Sequence, residues 1–373
     1  MTQVYWTRAR KHERAYEKEL TMKIGIIGLP QTGKTTLFGA LTRGTTQVSQ
    51  SKTNLAAVGV ADTDLDYLAG VFKPKKTTPA SVEFADVPGI PSGQENASRR
   101  NELLKDVKNV EALVEVFDAF TQAPSATSLR DQIENFELDL ALVDLEIVEH
   151  RLERMRKEKM TPALEGEQRL LSSAQSCLSG GKGLRSLGLS DEDKSLLTSY
   201  AFITLKPVMY VINITMTDET AARNLETDLT AAAGQVDATV MVLDAKLERE
   251  IAELPSAEQV EFLREFGLSG SVIDIFIGRA YQLLKLETFY TAGEDECKAW
   301  VIEAGTRARG AAGKIHTDIA RGFIAAEVIS LDDFRKADNS FKVAKEKGLL
   351  RIEGENYVVK NKEIAHFRFN VSR

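Results

Sequence analysis

The stretch "GLPQTGKTT" at residues 28–36 lies between the apolar run "MKIGII" and the helix-like "LFGALTRG". An apolar run that ends at a glycine and re-enters a periodic segment reads as strand, turn and helix. Such a turn needs a sheet to hold its first residue and a helix N-terminus to close it. The pattern therefore predicts an α/β domain with a parallel sheet and crossover helices. Gly28 and Gly33 let the backbone curl, so that the loop through Pro30, Gln31, Thr32 and Thr36 turns main-chain N–H groups toward phosphate oxygens. In this spacing Lys34 neutralises the β and γ phosphates of a nucleotide, and the Thr35 hydroxyl ligates magnesium.

Downstream runs supply the parts that such a loop works with. "SVEFADVPG" reads as the next core strand; Asp86 reaches the magnesium through water, and the Gly89 N–H senses the γ-phosphate. Ile90 stands where Ras-like GTPases carry a water-orienting glutamine, and isoleucine has no group for that task. "VINITMTD" occupies the place of a base-reading N-K-x-D. Asn213 is kept, Ile214 replaces the lysine, and Met216 stands at the aspartate position, where a thioether cannot accept the paired guanine hydrogens. Asp218 follows two residues later. Asn213 has two readings, part of a base site or a brace for the phosphate loop at a strand end.

The chain of 373 residues is long enough for two or three domains. Residues 1–21 are read as an extension, because the first strand begins only after Met22. Residues 22–285 form the nucleotide-binding domain. Within it, "IENFELDLALVDLEIVEHRLERMRKEK" from Ile133 to Lys159 and a second helix from about Ala163 to Leu178 predict an inserted helical arm at about 133–198. Two helices packed flat on the core are the alternative. Residues 286–373 read as a β-rich C-terminal domain. The formal net charge of -7 argues against a generally basic nucleic-acid binder. Cys177 and Cys297 have no metal-site spacing and suit a reducing cytosol. No run reaches the length of a membrane span, so a cytoplasmic protein without membrane partners or sequence readout of DNA is expected.

At "KIGIIGLPQTGKTTLF", "FKPKKTTPASVEFADVPG", "LDLALVDLEIVEHRLERM", "FITLKPVMYVIN" and "FYTAGEDECKAWVIEAGTRARGAAGKIHTDIARGFIAAEVIS" the chain resembles the YchF-type Obg-like ATPases, a branch of the P-loop GTPases. The resemblance runs from Met22 to the C-terminus. It implies a P-loop NTPase G domain with an inserted coiled-coil arm and a C-terminal TGS domain of ubiquitin-like β-grasp fold. It also implies binding of ATP in preference to GTP, slow hydrolysis with Mg2+, and association with the ribosome or its RNA. The family's S-A-K near the base is "DAK" here, so Asp244, Ala245 and Lys246 take the place where backbone touches the purine.

The resemblance leaves some positions divided. Many members place a histidine where this chain has Glu115, read either as a base for water or as an edge glutamate facing solvent. Gln50 falls where the first switch should offer a threonine, with Thr53 nearby. Two basic clusters, one with Arg307, Arg309 and Lys314 and one with Lys342, Lys345, Lys347 and Arg351, are either RNA contacts or solvated faces. His316 is expected to be a structural hydrogen-bonding residue. The function expected is a nucleotide-binding switch and slow ATPase; a non-hydrolysing nucleotide-gated module and a GTP-binding member of the family are the alternatives.

Overall fold

The computed structural model describes residues 22–46, 48–49, 52–91, 97–121, 125–159, 161–215, 219–233, 238–265 and 270–370. The expectations for residues 1–21, Gln50, Met216 and Asp218 lie outside them. The elements of the first half are β1 (Lys23–Ile27), α1 (Lys34–Leu41), β2 (Asn54–Gly59), α2 (Thr63–Phe72), β3 (Lys76–Thr78), β4 (Ser81–Asp86), α3 (Ala97–Val107), β5 (Ala112–Asp118), α4 (Ala126–Met155) and α5 (Pro162–Ser179). Then come α6 (Asp191–Leu197), β6 (Val208–Asn213), α7 (Glu219–Ala233), β7 (Ala238–Leu243), α8 (Ala245–Glu253), α9 (Ser256–Glu265) and α10 (Val272–Leu283). The chain ends with β8 (Leu286–Thr291), β9 (Glu296–Glu303), α11 (Ala308–Ile315), α12 (Thr317–Arg321), β10 (Phe323–Ser330), α13 (Leu331–Lys336), α14 (Phe341–Glu346), β11 (Arg351–Glu353) and β12 (Glu363–Phe369).

Two compact units emerge. The first joins Lys23–Val58 to Glu83–Leu284 around a six-stranded sheet in the order β2-β4-β1-β5-β6-β7. Its pairs from β4 to β7 are parallel. Parallel strands covered on both faces must be apolar throughout, and β6, "VMYVIN", is buried at every residue. The register sets Ile26 beside both Asp86 and Val114, and Asn213 beside Asp118 and Leu243. The motifs thus meet at the carboxyl ends of the strands, where open α/β sheets bind ligands.

α4 resolves the two readings of the arm by sharing them. Its first half sends Leu129, Phe136 and Leu140 into the core of the sheet. Its second half, with Ala141, Val148 and Met155, forms a separate core with Leu171, Ala174 and Leu178 of α5 and with Leu184, Leu197 and Phe202. The helix starts seven residues before the expected Ile133, because Ser125 caps it by accepting from the Ser128 N–H at 3.1 Å.

The second unit holds a sheet in the order β11-β10-β12-β8-β9-β3. β8 and β9 form an antiparallel hairpin, β12 returns parallel to β8, and α11 lies over a core of Phe289, Ile302, Ala326, Val328 and Phe367. This is the β-grasp arrangement. Gly59–Val82 belongs to this unit with the segment from Lys285 onward, whereas sequence order had put it in the nucleotide-binding domain. Its side chains explain why. Asp62 accepts from the Tyr290 hydroxyl at 2.9 Å, Tyr67 donates to Asn339 at 2.6 Å, and Phe72 stacks on Phe334 at 5.8 Å. β3 then pairs parallel to β9 as a sixth strand.

Candidate functional site

The phosphate loop is held from two sides. Gly33 has φ of 94°, a left-handed conformation, and a Cβ there would stand 2.1 Å from the Asn213 amide nitrogen. Gly89 lets the turn after β4 close on the phosphate loop: a Cβ on it would meet the Pro30 Cα at 2.6 Å. The Ile90 N–H donates to the Gly28 carbonyl at 3.0 Å. Asn213 is the brace. Its Nδ2 donates to the Thr32 carbonyl at 3.0 Å and its Oδ1 accepts the Ala245 N–H at 3.0 Å, so one buried amide joins the phosphate loop to the "DAK" turn. Ile214 packs partly buried against the core of the sheet. Asp244 spends its carboxylate as the cap of α8, accepting from the Lys246 and Leu247 N–H groups at 3.0 Å.

Lys34 is only 5% exposed. Its ammonium donates to the Leu29 carbonyl at 2.5 Å and lies 3.4 Å from the Thr32 hydroxyl. Burial draws its pKa down to about 8, against the pull of Asp86 in the other direction. Thr35 donates to Asp86 Oδ2 at 3.1 Å. Asn54, which the sequence reading passed over, donates to the same oxygen at 3.1 Å. Asp86 Oδ1 is buried with no hydrogen-bond partner, and burial raises the carboxyl pKa even with these donors and Lys34 nearby.

A buried acceptor aimed at nothing, beside a hydroxyl whose hydrogen is already committed, suits a divalent cation. Thr35 and Asp86 are the residues that would hold magnesium. Among the described residues no group of three or more His, Cys, Asp or Glu side chains gathers. A hard cation sharing one hydroxyl and one carboxylate with phosphates and water is the usual magnesium arrangement.

The side chains of Ile90, Thr53 and Glu115, which stand at or near the switch and catalytic positions of the resemblance, are turned to other uses. Ile90 is 1% exposed and sits in the core of the sheet with Ile27, Leu104 and Phe117. Thr53 donates to Asp106 of α3 at 2.5 Å. Glu115, expected as a base or as a solvent-facing edge residue, is neither edge nor exposed: it lies on central β5 with 0% exposure. Its electrostatic neighbours are Glu137 and Arg185, and burial first, then Glu137, push its carboxyl well above the ordinary range. The physical reason is strand alternation: Glu115 shares a face with Leu113 and Phe117, beneath α4.

In the second unit His316 accepts the Asp318 N–H at 3.1 Å as a helix cap. Of the basic clusters, Arg309 pairs with Glu355, and Arg351 with Glu353 and Glu363. Among the described residues no helix is long and apolar enough to cross a membrane.

The chain is similar to known proteins over most of its length. A family model described as "50S ribosome-binding GTPase" matches residues 23–151. Another, YchF-GTPase_C, described as "Protein of unknown function (DUF933)", matches residues 286–370. "Ribosome-binding ATPase YchF" of Bacillus subtilis is 36% identical over 369 residues, spanning 94% of this chain and 100% of that relative. The protein of the same description in Haemophilus influenzae is 34% identical over 363 residues, spanning 94% of this chain and 99% of the relative. The solved structure of the Schizosaccharomyces pombe YchF GTPase is similar with a TM-score of 0.80 at 25% identity, covering 93% of this chain and 98% of that one. With its phosphate loop, β-grasp unit and end-to-end relatives, the chain belongs to the YchF family of P-loop nucleotide-binding proteins.

Proposed function

We propose that this protein binds ATP in preference to GTP together with magnesium, hydrolyses it slowly, and associates with ribosomes in the cytoplasm according to its nucleotide state. The observation that carries the reading is the constellation at the loop: a buried Lys34, a Thr35 hydroxyl turned to Asp86, and an Asp86 oxygen without a partner. The N–H groups from Gln31 to Thr36 hold phosphate oxygens, and Lys34 neutralises their charge. Gly28 and Pro30 shape the cradle, and the Gly89 N–H senses the terminal phosphate. Thr35 gives its hydrogen to Asp86 and keeps its lone pairs outward. Thr35 and Asp86 would hold magnesium, which would supply charge neutralisation to the phosphates. The purine lies near Asn213, Ile214 and the Asp244–Ala245 backbone. Asp244 Oδ1 is engaged in capping its helix rather than free to accept the paired guanine hydrogens.

The relatives described as ribosome-binding ATPases support the substrate and the partner. A second reading, a nucleotide-gated module without turnover, is favoured by the burial of Ile90 and by Glu115 facing Glu137 and Arg185. Phosphate release from ATP under single-turnover conditions, with Lys34→Ala as control, separates the two. Release that Lys34→Ala abolishes supports the ATPase, and nucleotide binding without release supports the module. Cosedimentation with ribosomes in ATP, ADP and no nucleotide tests the partner, and association indifferent to nucleotide contradicts the switch.

A further inference from the structure

Asn54 opens β2, at a position where a strand ordinarily starts with an apolar or β-branched residue. It is 8% exposed. Its side chain makes three hydrogen bonds. Oδ1 accepts the Ser49 N–H at 2.8 Å, while Nδ2 donates to the Ser49 carbonyl at 3.0 Å and to Asp86 Oδ2 at 3.1 Å. The two bonds to Ser49 fix which end of the amide is nitrogen, since a flip would set oxygen against oxygen and nitrogen against nitrogen. Both amide hydrogens are then used, one on the main chain at Ser49 and one on Asp86.

Holding Ser49 against Asn54 needs only the first two bonds. The third does something else. With Thr35 it gives Asp86 Oδ2 two donors, which pins the carboxylate and leaves Oδ1 as the buried oxygen without a partner. Groups of this kind, one bond behind a ligand, set the orientation and charge of the atom that meets the metal.

We propose that Asn54 is the positioning residue that presents Asp86 to magnesium and ties it to the chain at Ser49. The assignment rests on the nucleotide and magnesium reading above. It makes the chain before β2 and the carboxylate on β4 one hydrogen-bonded assembly, so that ordering at the metal and ordering at Ser49 occur together.

The test uses the full chain, a fluorescent ATP analogue, and the variants Asn54→Ala and Asn54→Asp. Asn54→Asp keeps the shape, replaces the donor by an acceptor and sets a second carboxylate against Asp86. Thermal melts establish that each variant is folded. Nucleotide affinity is measured in EDTA and across a magnesium titration. The proposal predicts that the magnesium concentration for half-maximal tightening rises about tenfold or more in both variants, while affinity in EDTA stays within about twofold. An unchanged magnesium midpoint in Asn54→Ala, tighter magnesium binding in Asn54→Asp, or an equal loss of affinity with and without magnesium would overturn it. A wild-type protein whose nucleotide affinity ignores magnesium overturns this proposal together with the reading it rests on. A normal wild-type response that the variants share overturns this proposal alone.

Discussion

Lys34 carries its charge into a place that water scarcely reaches, and its depressed pKa of about 8 records the cost of keeping it there. A bound phosphate returns the missing counter-charge. Lys34→Ala should weaken nucleotide binding about a hundredfold, the equivalent of roughly 3 kcal/mol for a charge-assisted contact, as measured by equilibrium titration. Glu115 poses the opposite problem, a carboxyl buried completely with neither oxygen hydrogen-bonded. Its pKa is raised in the fold, so folding favours the protonated form. The penalty is absent below the ordinary value of 4.5 and grows as pH rises toward the native pKa, above which it is fully present. Glu115→Gln should therefore be more stable than wild type at pH 8 by on the order of 1–3 kcal/mol, with the advantage shrinking toward pH 5. Chemical denaturation at the two pH values checks this; an advantage independent of pH counts against it.

At the scale of elements, one buried carboxylate of α4 holds the segment that leads into β6. Asp144 of α4 is 0% exposed and accepts the Ile203 N–H at 3.0 Å, the Thr204 N–H at 2.8 Å and the Thr204 hydroxyl at 2.7 Å. Asp144→Ala strands three buried donors and should destabilise the protein by roughly 3 kcal/mol. Loss of amide protection should appear first at Ile203 and Thr204; unchanged exchange there would contradict the role. Strand β1, the loop at 28–36 and the helix after it were legible because their signals are local: spacing, glycine and an apolar run. Asp86 was legible for the same reason. Glu115 was misread through a neglected local signal, its alternation with Leu113 and Phe117. Asn54 gave no such warning, because its role depends on Ser49 and on a carboxylate 32 residues away.

At the scale of the whole molecule, the C-terminal unit is completed by residues from the first quarter of the chain. α2 brings Asp64 to Arg335 at 3.0 Å and to Lys362 at 2.7 Å, and Phe72 to the rings of Phe334 and Phe341. A fragment of residues 285–370 expressed alone exposes those rings and loses its sixth strand. It should melt at lower temperature or without a cooperative transition, and addition of a peptide spanning residues 59–82 should restore cooperativity. Chain order hid this, since strand pairing across more than 200 residues leaves no trace in local pattern. The proposed nucleotide site draws on the other unit, where Lys34, Thr35, Asp86 and Asn213 converge at the strand ends. The central claim is that this convergence is a working ATP site, and single-turnover phosphate release from ATP and GTP with magnesium tests it most directly. The account predicts slow release, faster or tighter with ATP and abolished in Lys34→Ala; equal release in Lys34→Ala, or clear preference for GTP, would contradict it.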